Sequence, residues 1–205
     1  MLTFIALIVC FSSFTVLLFY ILFFRFRIAF YKRKETFNQY VKPIPISVVI
    51  CAKNEEENLK NHLPLFLAQQ YNEFEIVVVD DNSTDETYYV LKAMQQEHPN
   101  LQVIRLNENV NFFTGKKFPL SIGIRSAKYN NLLLTDADCC PASPNWITMM
   151  AGAFSEKNNI VLGYGQYVRK KGFLNFMIRF ETLYTAMQYF GFALAGMPYM
   201  GVGRN

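Results

Sequence analysis

At 205 residues, 52% hydrophobic and 18% charged, the chain is more apolar than an ordinary soluble domain. Its formal net charge of +4 is concentrated: residues 25–44 hold six basic groups and one acid, and residues 45–205 sum to −1. That leaves no basic face interleaved with aromatics for nucleic acid, and it assigns the basicity to a segment beside a membrane.

The excess apolarity sits at the front. Residues 1–24 carry no charged side chain, and Phe4 to Phe24 is long enough, at about 1.5 Å per residue, to cross a hydrocarbon core of about 30 Å. Positive charge follows this run instead of preceding it, which argues for a retained anchor over a cleaved leader. Arg25, Arg27, Lys32, Arg33 and Lys34 then place the body on the cytoplasmic side by the positive-inside rule. The expected organisation is a transmembrane anchor over 1–24, a basic juxtamembrane linker over 25–44 that ends in stiff, extended Val41 to Pro45, and one domain over 45–205. Cys10, Cys51, Cys139 and Cys140 show no redox or metal-ligand spacing and read as reduced thiols. His62 and His98 stand alone and carry no catalytic expectation.

In the body, strand and helix alternate. ISVVIC (46–51) and FEIVVVD (74–80) are strands apolar on both faces, and LQVIRLN (101–107) is a third. Residues 55–71 have helical spacing through Leu59, Leu63 and Phe66, with Pro64 as an awkward interior residue. Ser83, Thr84 and Asp85 offer caps to a helix bearing Tyr89, Val90 and Met94. Gly115 to Ala127 reads as a helix entered from a glycine turn, NNLLLTD (130–136) as the fourth strand, Pro144 to Lys157 as a helix with proline in its first turn, and 160–168 as extended. Short connections between alternating elements indicate a three-layer α/β domain with a mostly parallel sheet. Residues 173–197 are nearly as apolar as the anchor, but Arg179 and Glu181 argue against a second span. They read as a helix against the domain or at the membrane interface, with a buried core helix as the alternative.

Polar groups collect where strands end. Cys51, Lys53, Asn54 and Glu55 follow the first strand, Asp80 and Asp81 the second, and Asp136 and Asp138 the fourth. In a parallel sheet those ends share one edge, so residues distant in sequence meet in one crevice. Two aspartates two positions apart can hold a hard divalent cation through oxygen. Lys116, at a helix start, adds a cation where backbone amides also favour phosphate. Together these groups describe a nucleotide diphosphate site.

The blocks ISVVICAKNEEENL, EIVVVDDNSTDET, TGKKFPLSIGIRSA and LLLTDADC, in this order, resemble the family 2 glycosyltransferases of GT-A fold over roughly residues 45–168. The resemblance implies transfer of a sugar from a UDP- or GDP-linked donor, with inversion and with help from Mn2+ or Mg2+, to a lipid-linked or polysaccharide acceptor. It also implies that Cys51, Lys53 and Glu55 line the nucleotide pocket, that Asp81 with Asp80 contacts the base, and that Lys116 lies near the donor. Asp136 would sit by the ribose or sugar, and Asp138, with Asp136, by the metal. MGVGRN (200–205) resembles the start of the family's acceptor loop, after which a catalytic carboxylate is expected. No acidic residue follows Glu181, so the expectation is a chain missing the C-terminal part of the domain, with its base beyond Asn205.

The alternative is a non-catalytic membrane module that binds a sugar nucleotide. A P-loop is excluded by the absence of GxxxxGK[ST], and a dinucleotide fold by CAKNEE where GxGxxG would stand.

Overall fold

The computed structural model describes residues 2–31, 44–106, 115–155 and 159–201. The basic residues Lys32, Arg33 and Lys34 and most of the acceptor-loop resemblance lie outside them. The chain divides into two compact units, Met1–Thr36 with Tyr164–Val202, and Phe37–Gly163 with Gly203–Asn205.

The second unit is a parallel sheet of four strands in the order β3-β2-β1-β4, namely β1 (Ile46–Ala52), β2 (Phe74–Asp80), β3 (Leu101–Arg105) and β4 (Asn131–Asp136). The expected burial on both faces holds. Ile46, Val48 and Ile50 pack with Ile76 and Val78 against one helical layer, made by α3 (Glu56–Leu67), α4 (Thr87–Glu97) and α6 (Trp146–Ala151) through Leu59, Leu63, Phe66, Leu91 and Ile147. The intervening residues Val49, Val77 and Val79 face α5 (Lys117–Ser126) through Phe118, Leu120 and Ile122. The two-residue period of a strand sends neighbours to opposite faces, so continuous apolar runs are what a covered sheet requires.

α5 comes unusually close to the sheet. A Cβ on Gly123 would lie 2.5 Å from Val49 Cγ1 and 3.1 Å from Val79 Cγ2, so only glycine lets this helix sit where it does. α3 continues through Pro64, whose carbonyl accepts the Ala68 N–H at 3.0 Å. α6 is shorter than the expected Pro144 to Lys157 and ends at Gly152. Residues 160–168 form no strand. Ile160 and Val168 are exposed, and without a neighbouring strand an extended segment has no ladder to hold it.

In the first unit, α1 (Leu2–Tyr20), one π-helical turn (Ile21–Arg25) and α2 (Phe26–Ala29) run on as a single helix. Thr3–Ala29 is long and apolar enough to cross a membrane, about 40 Å at 1.5 Å per residue. α7 (Phe173–Leu194) is a 22-residue helix. The core-helix alternative does not hold for it, since only Ala186, Tyr189 and Gly191 are buried.

Candidate functional site

The register aligns the strand ends. Cys51 of β1 lies beside Asp136 of β4, and Ala52 beside Asp80 of β2. Whatever follows these positions emerges at one edge of the sheet, and the side chains there pair across loops. Lys53 Nζ is 3.6 Å from Asp81 Oδ2, and the Lys116 ammonium pairs with Asp136. Asp136, Asp138 and Cys139 can each offer a ligand atom within 4.8 Å of the others. Glu55 is turned along its own helix, its Oε2 accepting the Asn58 amide at 2.6 Å.

Asp80 differs from its neighbours in burial. It is fully buried, its Oδ1 accepts the Ser83 N–H at 3.0 Å, and its Oδ2 lies 3.7 Å from Arg105 Nε without a hydrogen bond. The carboxylate thus organises the loop that carries Asp81, and Arg105, lying over the Tyr88 ring at 4.4 Å, supplies the opposing charge. Sequence reading missed Arg105 because nothing in a strand-end arginine distinguishes it from a solvated one.

The loops after β1 and β2 are fastened to each other. Ser83 Oγ accepts the Asn54 N–H and Thr87 Oγ1 the Glu55 N–H, both at 2.9 Å, while Asn54 Oδ1 accepts the Thr84 N–H at 2.8 Å. Asp85 spans both helix starts, accepting the Thr87 N–H at 3.1 Å and the Glu56 N–H at 3.4 Å. Burial alone would raise the Asp85 carboxyl, but the hydrogen bonds from Thr87 and Glu56 outweigh it and hold the group below its usual range. Asn54 and Asn82 have φ of 55° and 54°, the left-handed region that asparagine tolerates better than most residues. The expected capping residues therefore act chiefly between loops. On the far side, His62 Nδ1 lies 3.3 Å from Ala137 O, in the middle of the Asp136 to Asp138 turn.

The donor set fits a hard divalent cation. Burial pushes the Cys51 and Cys139 thiols up to about 11, helped at Cys139 by Asp138. Asp138 and Asp136 offer carboxylate oxygens, the donors that Mg2+ or Mn2+ prefers, whereas the Cys139 sulfur is a soft donor suited to other metals.

A parallel sheet with charged groups gathered beyond its strand ends belongs to the α/β domains that take ligands at that edge. The chain matches the glycosyl transferase family 2 model over residues 47–198 and belongs to that family. It is 29% identical over 123 residues to an uncharacterized glycosyltransferase of Haemophilus influenzae, covering 60% of this chain and 36% of the relative. It is also 30% identical over 93 residues to the poly-β-1,6-N-acetyl-D-glucosamine synthase of Staphylococcus epidermidis, covering 45% of this chain and 21% of that one. The chain thus spans about a third or less of the length of these relatives. Among solved structures, the mannosyltransferase PcManGT of Pyrobaculum calidifontis, in complex with GDP-Man and Mn2+, matches with a TM-score of 0.52 and 25% identity over 71% of this chain and 41% of its own. The fold is accordingly GT-A-like, with one candidate apolar helix before it.

Proposed function

We propose that the protein is a membrane-anchored transferase that moves a sugar, with inversion, from a UDP- or GDP-linked donor to a lipid-linked or polysaccharide acceptor at the cytoplasmic face. The observation that carries this reading is the convergence of Lys53 with Asp81 and of Lys116 with Asp136, beside Asp138, at the carboxyl edge of three adjacent strands.

In this reading Cys51, Lys53 and Glu55 line the nucleotide pocket, Asp81 takes the base, and Asp80 sets the loop that presents it. Lys116 faces the diphosphate. Asp136 sits by the ribose or sugar and, with Asp138, forms the cation site. A divalent cation, Mn2+ or Mg2+, would take up negative charge on the leaving diphosphate there. The neutral Cys51 thiol adds a weakly polar wall without a competing negative charge. The helix Thr3–Ala29 and the basic residues after it support the anchor and its orientation. The Staphylococcus relative, named as a polysaccharide synthase, supports a glycan acceptor, and the Pyrobaculum neighbour, with its GDP-Man and Mn2+, supports the donor and metal.

Calorimetric titration of the detergent-solubilised chain with UDP and with GDP, each with and without Mn2+, tests the donor site. Metal-dependent binding that disappears in an Asp136→Ala, Asp138→Ala double variant is expected. A folded chain that binds neither nucleotide refutes the site.

A further inference from the structure

α7 is the long element that sugar transfer leaves without a role. Its first half stands in solvent, with Phe173 78% and Phe176 61% exposed. Leu174 and Ile178 are exposed on other faces, but the aromatic residues gather on one. Phe173, Phe176, Met177, Phe180, Leu183 and Tyr184 fall at i, i+3, i+4, i+7, i+10 and i+11, which aligns them in one stripe. The rings of Phe176, Phe180 and Tyr184 stack in succession, with centroids 6.4 and 6.2 Å apart.

Arg179 lies on the flank of that stripe at 100° per residue, with Asn175 and Thr182 further round on the opposite face. There Arg169, Lys170, Lys171 and Arg179, with Asn175 and Phe176, line a pocket of about 620 Å³. None of the four cations has an ion-pair partner among the described residues. The basic segment is held in place. Asn175 Oδ1 accepts the Lys170 N–H at 2.8 Å, and its amide donates to Val168 O at 3.1 Å. Glu181, the acid of this helix, accepts the Thr185 hydroxyl at 3.1 Å and lies outside the pocket.

The opposite end of α7 is fastened to the end of the N-terminal apolar helix. Phe192 stacks on Phe24 with centroids 4.1 Å apart, and Arg27 Nη1 donates to Leu194 O at 3.1 Å. A Cβ on Gly191 would lie 3.2 Å from Phe24, so the two helices meet closely. α7 therefore starts out from the level at which the apolar helix gives way to basic residues.

We propose that α7 is a second membrane contact, lying in the plane of the interface with its aromatic stripe among the acyl-chain ends and its Arg169, Lys170, Lys171 and Arg179 pocket taking the phosphates of an anionic lipid surface. An aromatic and aliphatic face flanked by cations is the pattern of helices that lie on membranes, and the cationic heads can reach headgroup level on their flexible stems. Charge selects this occupant over another helix. An apolar partner would cover the stripe and leave four cations unanswered, whereas an anionic bilayer answers both. The inference rests on the proposed anchor, and its test separates the two.

The full chain, bearing Phe180→Trp, is reconstituted in vesicles of phosphatidylcholine alone or with phosphatidylglycerol, with brominated or ordinary acyl chains. Retention of the chain in alkaline-washed vesicles reports the anchor independently. The parent chain, with its buried Trp146, gives the baseline. The introduced indole is expected to be quenched roughly twofold by brominated anionic vesicles, and less in phosphatidylcholine alone. Combined substitution of Arg169, Lys170, Lys171 and Arg179 by Gln should abolish the difference between lipids. Added inorganic phosphate should leave the quenching unchanged, since the surface and not the free ion is the occupant. A retained chain whose indole is unquenched in both lipids overturns the proposal, because protein or water then covers the stripe. Quenching indifferent to lipid charge and to the four substitutions overturns the headgroup site.

Discussion

Gly123 offers a quantitative test of how α5 is seated. Replacing a helix-interior glycine by alanine ordinarily stabilises by about 1 kcal/mol through backbone entropy. Here the new methyl would stand 2.5 Å from Val49 Cγ1 and 3.1 Å from Val79 Cγ2. Both valines are fully buried in β1 and β2, and a β-branched side chain has little freedom to turn away. Overpacking of this kind costs about 1 to 3 kcal/mol. The net for Gly123→Ala is thus about 0 to 2 kcal/mol of destabilisation, and Gly123→Val, with two further methyls and a smaller propensity gain, should be worse by at least about 1 kcal/mol. Trp146, packed edge-on against Phe66 at 5.6 Å in the core of the sheet unit, makes its fluorescence melt a local reporter. A shift of about 4 °C per kcal/mol is expected for a unit of this size. Because Lys116 stands at the start of α5, lifting the helix should also weaken nucleotide binding. A rise in melting temperature for Gly123→Ala, as an exposed helical glycine would give, refutes the close approach.

Three further outcomes follow from named contacts. Arg105→Leu leaves the buried Asp80 carboxylate without its cation. Breaking a buried pair costs about 3 to 5 kcal/mol, but the 3.7 Å separation and the 39% exposure of the arginine reduce the expected loss to roughly 1 to 2 kcal/mol, read in the same melt, with Arg105→Lys intermediate. Thr87→Val keeps the shape and removes the acceptor of the Glu55 N–H, for about 1 to 3 kcal/mol. Titration with nucleotide should show weaker binding, and unchanged affinity and melting would argue against the interloop bond. The Cys51 and Cys139 thiols, held near 11, should alkylate slowly at neutral pH and about tenfold faster per pH unit toward that value, as followed by mass spectrometry. Their raised values also stabilise the fold fully below the ordinary thiol value of 9.0, and that contribution is lost as pH rises toward about 11.

The sheet was legible because β1, β2 and β4 are covered on both faces, so their sequences are apolar without alternation and stop abruptly at Lys53, Asp81 and the Asp136 turn. The same reasoning indicates only an extended segment at 160–168, and no strand pairs with it there. It overextended α6, which Gly152 ends early. The fastening of Asn54 to Ser83 and of Glu55 to Thr87 joins residues 29 and 32 positions apart, and no local pattern announces a hydrogen bond across that distance. Ser83, Thr84 and Asp85 did signal polar service to backbone amides. What local spacing could not give was whose amides they serve.

On the proposed donor reading, the charges at the sheet edge are ones that a phosphate can exchange with at little cost. Lys53 and Lys116 each have a carboxylate partner, and both side chains are more than half exposed. Pairs of that kind contribute about 0 to 1 kcal/mol, so exchanging a carboxylate for a phosphate oxygen costs little. Asp138 is different. It has no ion-pair partner among the described residues, and its Oδ1 accepts only the neutral Cys139 thiol, at 3.5 Å. Of the aspartates gathered here it is the one without a cationic partner among the described residues, while Asp136 is already answered by Lys116. On the proposed donor reading, a ligand that brings both a diphosphate and a divalent cation would let Lys116 turn to phosphate and free Asp136 to join Asp138. On this reasoning Asp138→Asn should abolish the metal dependence of nucleotide binding, whereas Asp136→Asn should weaken it and leave Lys116 free for the phosphate.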